Sequence, residues 1–166
     1  MTVLSITLTA AGATALLNIW IASRIGALRR RHGILIGDGG NPQLLARMRA
    51  HSNFVEYAPF FLILLAAIEL AEGPSQWLWL ATSLFVIGRI LHVFGMDRQT
   101  LNRLRGGGIG LSLLSILGLA IWAIAIPYLK RHRAPAVSYA AHAQTPATLS
   151  SGSIEPGESV VSLYLP

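Results

Sequence analysis

The chain has 166 residues, of which 53% are hydrophobic and only 12% charged, with a net charge of +6. A soluble domain usually carries about 25% charged residues, so the composition excludes an ordinary soluble globular protein and points to a one-domain integral membrane protein. The absence of cysteine excludes disulfides, thiolate metal sites and a cysteine nucleophile.

The first apolar segment runs from about Val3 to Ile25 and is followed by Arg29, Arg30 and Arg31. Its basic residues trail the apolar run, which is the flank pattern of a retained helix rather than a cleaved signal peptide. Gly37-Asp38-Gly39-Gly40-Asn41-Pro42 reads as a turn and a helix start, with Asn41 as N-cap and Pro42 at the first helical position. The second segment, about Phe54 to Ala71, is extended toward Pro42 by a more polar helical approach, and Pro59 within it frees a backbone carbonyl. The third runs from about Ser75 to Gly95 and the fourth from about Ile109 to Leu129. Each is near the ~20 residues a spanning helix needs. None shows the period-two alternation of a barrel strand, and open sheet edges are forbidden in lipid.

The expected fold is therefore all-α, an integral membrane four-helix bundle over residues 1–130. Residues 131–166 are rich in Ala, Ser, Pro, Gly and Thr and read as a disordered tail. The first loop holds Arg24, Arg29, Arg30 and Arg31, and the third holds Arg98, Arg103 and Arg105. The second has Glu72 and no cation. The positive-inside rule places loops one and three in the cytoplasm and both termini outside, against the opposing signal of Lys130, Arg131 and Arg133. The same positions explain the basic net charge by orientation in the bilayer. No aromatic-and-basic surface pattern, zinc spacing or glycine-rich phosphate loop supports nucleic acid or a metal as partner.

The chemistry concentrates in Arg47-Met-Arg49-Ala-His51-Ser-Asn53-Phe-Val-Glu56-Tyr57-Ala-Pro59. Ionisable groups are expensive in hydrocarbon, so those within a span are functional candidates. At about 100° per residue, Arg49, Asn53 and Glu56 fall within an arc of roughly 60°. A cation, an amide and an anion on one stripe neutralise each other or grip a zwitterionic ligand. The third segment ends Gly88-Arg89-Ile-Leu-His92-Val-Phe-Gly95-Met96-Asp97-Arg98, and Arg89 and His92 share a face. Together with Arg103 and Arg105, these cations face only Glu56 and Asp97, an excess that calls for an anion. A bridge from Arg89 to Glu56 is the structural pairing this pattern suggests. Arg47, Arg98 and Arg105 also read as interfacial anchors, Glu69 as structural, and Asn18 as an interhelical hydrogen-bonding residue.

The pattern Arg49-Ala-His51-x-Asn53-x-x-Glu56-Tyr57-x-Pro59 resembles the MAPEG family, membrane-associated proteins in eicosanoid and glutathione metabolism. The likeness is closest to bacterial members, through Gly37-Asp38-Gly39-Gly40 before that motif and Arg89-x-x-His92-x-x-Gly95 after it. It covers about residues 1–130. The resemblance implies a homotrimer in the bacterial inner membrane, with glutathione as co-substrate in clefts between subunits near the cytoplasmic face. It implies that Arg49, Asn53, Glu56 and Tyr57, in the motif that also holds His51, bind glutathione, and that Arg89 and His92 line the same cleft. An arginine just before the fourth helix faces the sulfur in the family, and both Arg103 and Arg105 fit that spacing. An arginine at the end of the first helix contributes as well, with Arg24 and Arg29 as candidates.

The implied activity is glutathione transferase, or glutathione-dependent peroxidase, on hydrophobic small molecules arriving through the bilayer. Where eukaryotic members carry a tyrosine after the third-helix motif, this chain has Met96. A non-catalytic lipid-binding or scaffold protein of the same fold is therefore the alternative. A small transporter is disfavoured because no inverted repeat is visible.

Overall fold

The computed structural model describes residues 3–98 and 102–133. The expected disordered tail lies, from residue 134 onward, outside the described residues. Four helices follow in order: α1, Ser5–His32; α2, Pro42–Glu72; α3, Gln76–Asp97; and α4, Arg103–Arg133. All four are long and apolar enough to cross a membrane.

The ends differ from the sequence expectation where polar residues continue a helix. α1 runs past Ile25 to His32, because Arg29, Arg30 and Arg31 are good helix formers that also complement the negative end of the helix dipole. It stops at Gly33, whose φ of 64° is left-handed and whose N–H closes on Arg29 O. α2 starts as its residues dictate: Asn41 accepts from Gln43 N and Leu44 N, both at 3.0 Å, and Pro42 follows. α4 begins six residues earlier than expected, at Arg103 rather than Ile109. Asn102 makes that start, accepting from Arg105 N at 2.9 Å while donating to Gly95 O at 2.9 Å.

α2 and α3 share the centre, with α1 packed on one side of that pair and α4 on the other; α1 and α4 do not approach each other among the described residues. Phe61 of α2 stacks on Phe85 of α3 with ring centroids 4.0 Å apart. Ile6, Leu65, Ile68 and Leu78 complete the fully buried core of the loop-two half. The outward faces are apolar too: Leu16, Phe60, Ile63, Leu117 and Ile124 are exposed, as expected of side chains meeting lipid tails rather than water.

Polar groups tie the two ends. At the loop-two end, Leu4 offers α1 no side-chain cap. Glu69 reaches across from α2 and accepts from Ile6 N (2.9 Å), Thr7 N (2.7 Å) and Thr7 Oγ1 (2.7 Å). A carboxylate at a helix N-terminus satisfies orphan donors and the dipole together, so Glu69 is structural as the sequence suggested. At the opposite end, the Asp97 carboxylate of α3 pairs with Arg24 of α1 and, at 3.1 Å, with Arg47 Nε of α2. Arg47 Nη1 also donates to Arg24 O at 3.0 Å. Arg24 lies over the Trp20 ring, 4.9 Å from its centroid.

Candidate functional site

The α3–α4 seam is built on glycine. A Cβ on Gly88 would meet Ser112 Oγ at 2.7 Å and Gly108 O at 2.8 Å, and one on Gly108 would meet His92 Cα at 2.8 Å. A Cβ on Gly95 would meet Arg105 Cβ at 2.9 Å. Small residues let two backbones approach in this way within membranes. The close crossing sets Arg89 and His92 against α4.

Arg89 is 1% exposed. Its Nε donates to Ser112 Oγ at 2.8 Å and its Nη1 to Asn53 O at 3.2 Å. Ser112 in turn donates to Gly108 O at 2.9 Å. The Arg89 guanidinium lies 5.3 Å from the Tyr57 ring centroid and 5.7 Å from that of Phe85. Its Nη2 is buried without a hydrogen-bond partner. The suggested bridge to Glu56 is not formed: Glu56 is exposed on α2, and Arg89 turns instead to a hydroxyl and a carbonyl. The physical reason is the glycine crossing, which brings Ser112 to the guanidinium at lower desolvation cost than a second buried charge.

His92, 4% exposed, joins three helices. Its Nδ1 lies 3.4 Å from Arg105 O and its Nε2 3.5 Å from Asn53 Nδ2. A carbonyl only accepts, so Nδ1 carries the proton and the neutral ring takes the Asn53 amide at Nε2. In front of this pair opens a cleft of about 580 Å³ lined by Asn53, His92, Asn102, Arg103, Arg105, Gly106 and Ile109. That volume lies within the usual range for small-molecule sites. Arg103 and Arg105 are exposed at its edge. Among the described residues, ion pairs engage Arg24, Arg47 and Lys130 but none of Arg49, Arg89, Arg103 or Arg105.

The sequence-derived candidates thus divide. Asn53, His92, Arg103 and Arg105 line one cleft, with Arg89 buried behind Asn53 and Tyr57 half-buried beside Arg89. Arg49 and Glu56 stand exposed on the outer face of α2, without an ion-pair partner among the described residues. His51 turns toward α1, its Nε2 3.0 Å from Asn18 Oδ1, which gives Asn18 the interhelical role its residue type suggested. Of the first-helix arginines, Arg24 is held by Asp97, and Arg29 donates to Leu35 O at 3.0 Å and lies 3.6 Å from Met48 Sδ. Met96 is 6% exposed and belongs to the apolar core. Sequence reasoning missed Ser112 and Asn102. The available signals were the small-residue spacing Gly108-x-x-x-Ser112 and an asparagine directly before a helix start.

Four helices able to span a membrane, with a cleft edged by Arg103 and Arg105 at one end, define an α-helical integral membrane protein. A family model described as the MAPEG family matches residues 7–125. The chain belongs to the MAPEG family. It is also similar to the inner membrane protein YecN of Escherichia coli, at 27% identity over 94 residues, covering 57% of this chain and 72% of that protein. The same protein from a second Escherichia coli strain matches equally.

Proposed function

We propose that the assembled protein is a membrane-bound glutathione transferase, with glutathione-dependent peroxidase activity as its variant chemistry, acting on lipophilic electrophiles. The observation that carries this reading is that Arg103 and Arg105, with no ion-pair partner among the described residues, edge a cleft backed by His92 and Asn53. Glutathione brings two carboxylates, one ammonium and a thiol. Guanidinium forks suit the carboxylates, and the exposed Glu56 suits the ammonium. A cysteine thiol with pKa near ~8.5 is mostly protonated at neutral pH. A guanidinium nearby favours the thiolate by about 1.4 kcal/mol per unit of lowering. The thiolate sulfur then bonds to the electrophilic carbon as the leaving group departs, and the thiol proton goes to water.

Arg49 and Glu56 sit on an outer helix face at membrane depth, where unpartnered charges are costly. A homotrimer whose neighbouring protomers cover this face would make the ligand cleft a boundary feature, and we assign the site to that boundary. By likeness to the inner membrane protein YecN, the assembly belongs in an inner membrane, and the positive-inside rule puts loops one and three, with the cleft beside them, on the cytoplasmic side. Met96 supports a second reading. Because it is core-packed rather than a hydroxyl donor, thiolate stabilisation falls on the arginines alone, and a non-catalytic lipid-binding protein of this fold is the competing outcome.

Calorimetry with glutathione and turnover of an aryl halide by the detergent-purified protein test the proposal. Binding and turnover are expected, with turnover abolished in the Arg103→Ala/Arg105→Ala double variant. Glutathione binding without turnover in the wild-type protein would favour the non-catalytic reading. Absence of both would refute the enzyme.

A further inference from the structure

We infer that the turn after α1 is a lipid-recognition element: Arg30 and Arg31 take the phosphate of an anionic phospholipid while Leu35 and Ile36 insert at the edge of its acyl chains. The turn offers two chemistries side by side. Arg30, Arg31 and His32 are exposed in the last turn of α1. Leu35 and Ile36, only a few residues on, are each 91% exposed. No described contact covers this aliphatic pair, and nothing in the bundle needs it there.

The turn is nonetheless a built shape rather than a loose end. Gly33 reverses the chain in the left-handed region, and Ile34 N closes on Arg29 O at 3.0 Å. Arg29 is spent on fixing the turn, since its Nη1 donates to Leu35 O at 3.0 Å. That bond leaves Arg30 and Arg31 as the cations of this turn with no ion-pair partner among the described residues. A concavity of about 460 Å³ lies between helix and turn, lined by Gly26, Arg29, Arg30, Gly33, Ile34 and Leu35. Gly26 forms its floor: a Cβ there would meet Arg30 Nη1 at 3.4 Å.

Charge complementarity and depth select the occupant. The element caps a membrane-spanning helix, so the headgroup layer of the bilayer is what it meets. Anionic headgroups attract juxtamembrane arginines, each worth about fivefold in affinity near the surface. A soluble anion would satisfy the guanidinium groups and leave Leu35 and Ile36 in water. A phospholipid satisfies both, with phosphate on the arginines and glycerol and upper acyl carbons against the aliphatic pair. Arg30 and Arg31 do not line the glutathione cleft, so this inference stands apart from the proposed activity.

Native mass spectrometry of the full chain, released from detergent with added phosphatidylglycerol, phosphatidylcholine or inorganic phosphate, tests it. Phosphatidylglycerol adducts are expected to exceed phosphatidylcholine adducts, and Arg30→Gln/Arg31→Gln is expected to lower that preference by about 25-fold. Equal retention of the two lipids, or displacement of phosphatidylglycerol by inorganic phosphate, would overturn the inference. A second readout does not depend on those variants. Ile36→Cys places one thiol in a chain that has no cysteine, and a nitroxide there is expected to be relaxed by oxygen and shielded from a nickel chelate in phosphatidylglycerol vesicles. A label fully accessible to the chelate would equally refute insertion.

Discussion

Arg89 holds a guanidinium at membrane depth with Ser112, the Asn53 carbonyl and two aromatic faces as its surroundings, and with Nη2 left open. Removing the hydroxyl by Ser112→Ala deprives a buried cation of an acceptor. Hydrogen bonds to charged groups contribute about 1.5–3 kcal/mol, so the thermal unfolding midpoint in detergent is expected to fall. An unchanged midpoint would mean that Ser112 does not support the cation. Glu69→Gln removes the charge that caps α1 from another helix and is expected to cost about 1–2 kcal/mol. Its check is faster hydrogen exchange at the Ile6 and Thr7 amides. Positions of the polar residues were legible in the sequence, because charge inside an apolar run stands out whatever the fold. Their partners were not. Helical arithmetic places Arg89 and Glu56 on faces of their own helices, but says nothing of which neighbour arrives there. The acceptor proved to be a serine, a residue that in spanning helices usually bonds only its own backbone, as Ser115 does to Leu111 O at 2.8 Å.

Helix ends and crossings follow the same division at the scale of elements. Asn41-Pro42 fixed the start of α2 locally. The start of α4 rests on a contact between elements, the Asn102 bond to Gly95 O, and a run of glycines in the sequence hides it. Those glycines are not equivalent. Gly108 faces His92 with no room for a methyl group, whereas Gly107 has nothing within 4 Å of where its Cβ would be. Gly108→Ala is therefore expected to separate α3 from α4 and to lower both stability and the proposed glutathione binding. Gly107→Ala is expected to be tolerated and to stabilise α4 by about 1 kcal/mol through helix propensity. Circular-dichroism melts of the two variants in the same detergent check the contrast; similar losses in both would contradict the seam. The Asp97 cluster is the complementary tie at the end that carries loops one and three. Asp97→Asn removes the anion between Arg24 and Arg47, leaving two cations facing each other, and is expected to lower the midpoint more than the exposed-pair variant Glu72→Gln at the other end.

At the scale of the whole molecule, the all-α membrane bundle was readable from four apolar runs and two motifs, because lipid leaves a helical chain few other ways to satisfy its backbone. The charge balance of the site was readable only in outline. Of the cations counted together in the sequence, Arg47 is consumed by Asp97, which also holds Arg24 of the first helix. Among the described residues, Arg103 and Arg105 have no ion-pair partner at the cleft, nor do Arg49 and Glu56 on an outer face. These open groups are what the proposal of a ligand site completed by a neighbouring protomer rests on. The decisive measurement is an experimental structure of the assembled protein in lipid with glutathione added. The account predicts density for the tripeptide in the cleft at a protomer boundary, its sulfur within about 4–6 Å of the Arg103 or Arg105 guanidinium. An empty cleft at saturating glutathione, with those arginines turned to lipid headgroups, would contradict it.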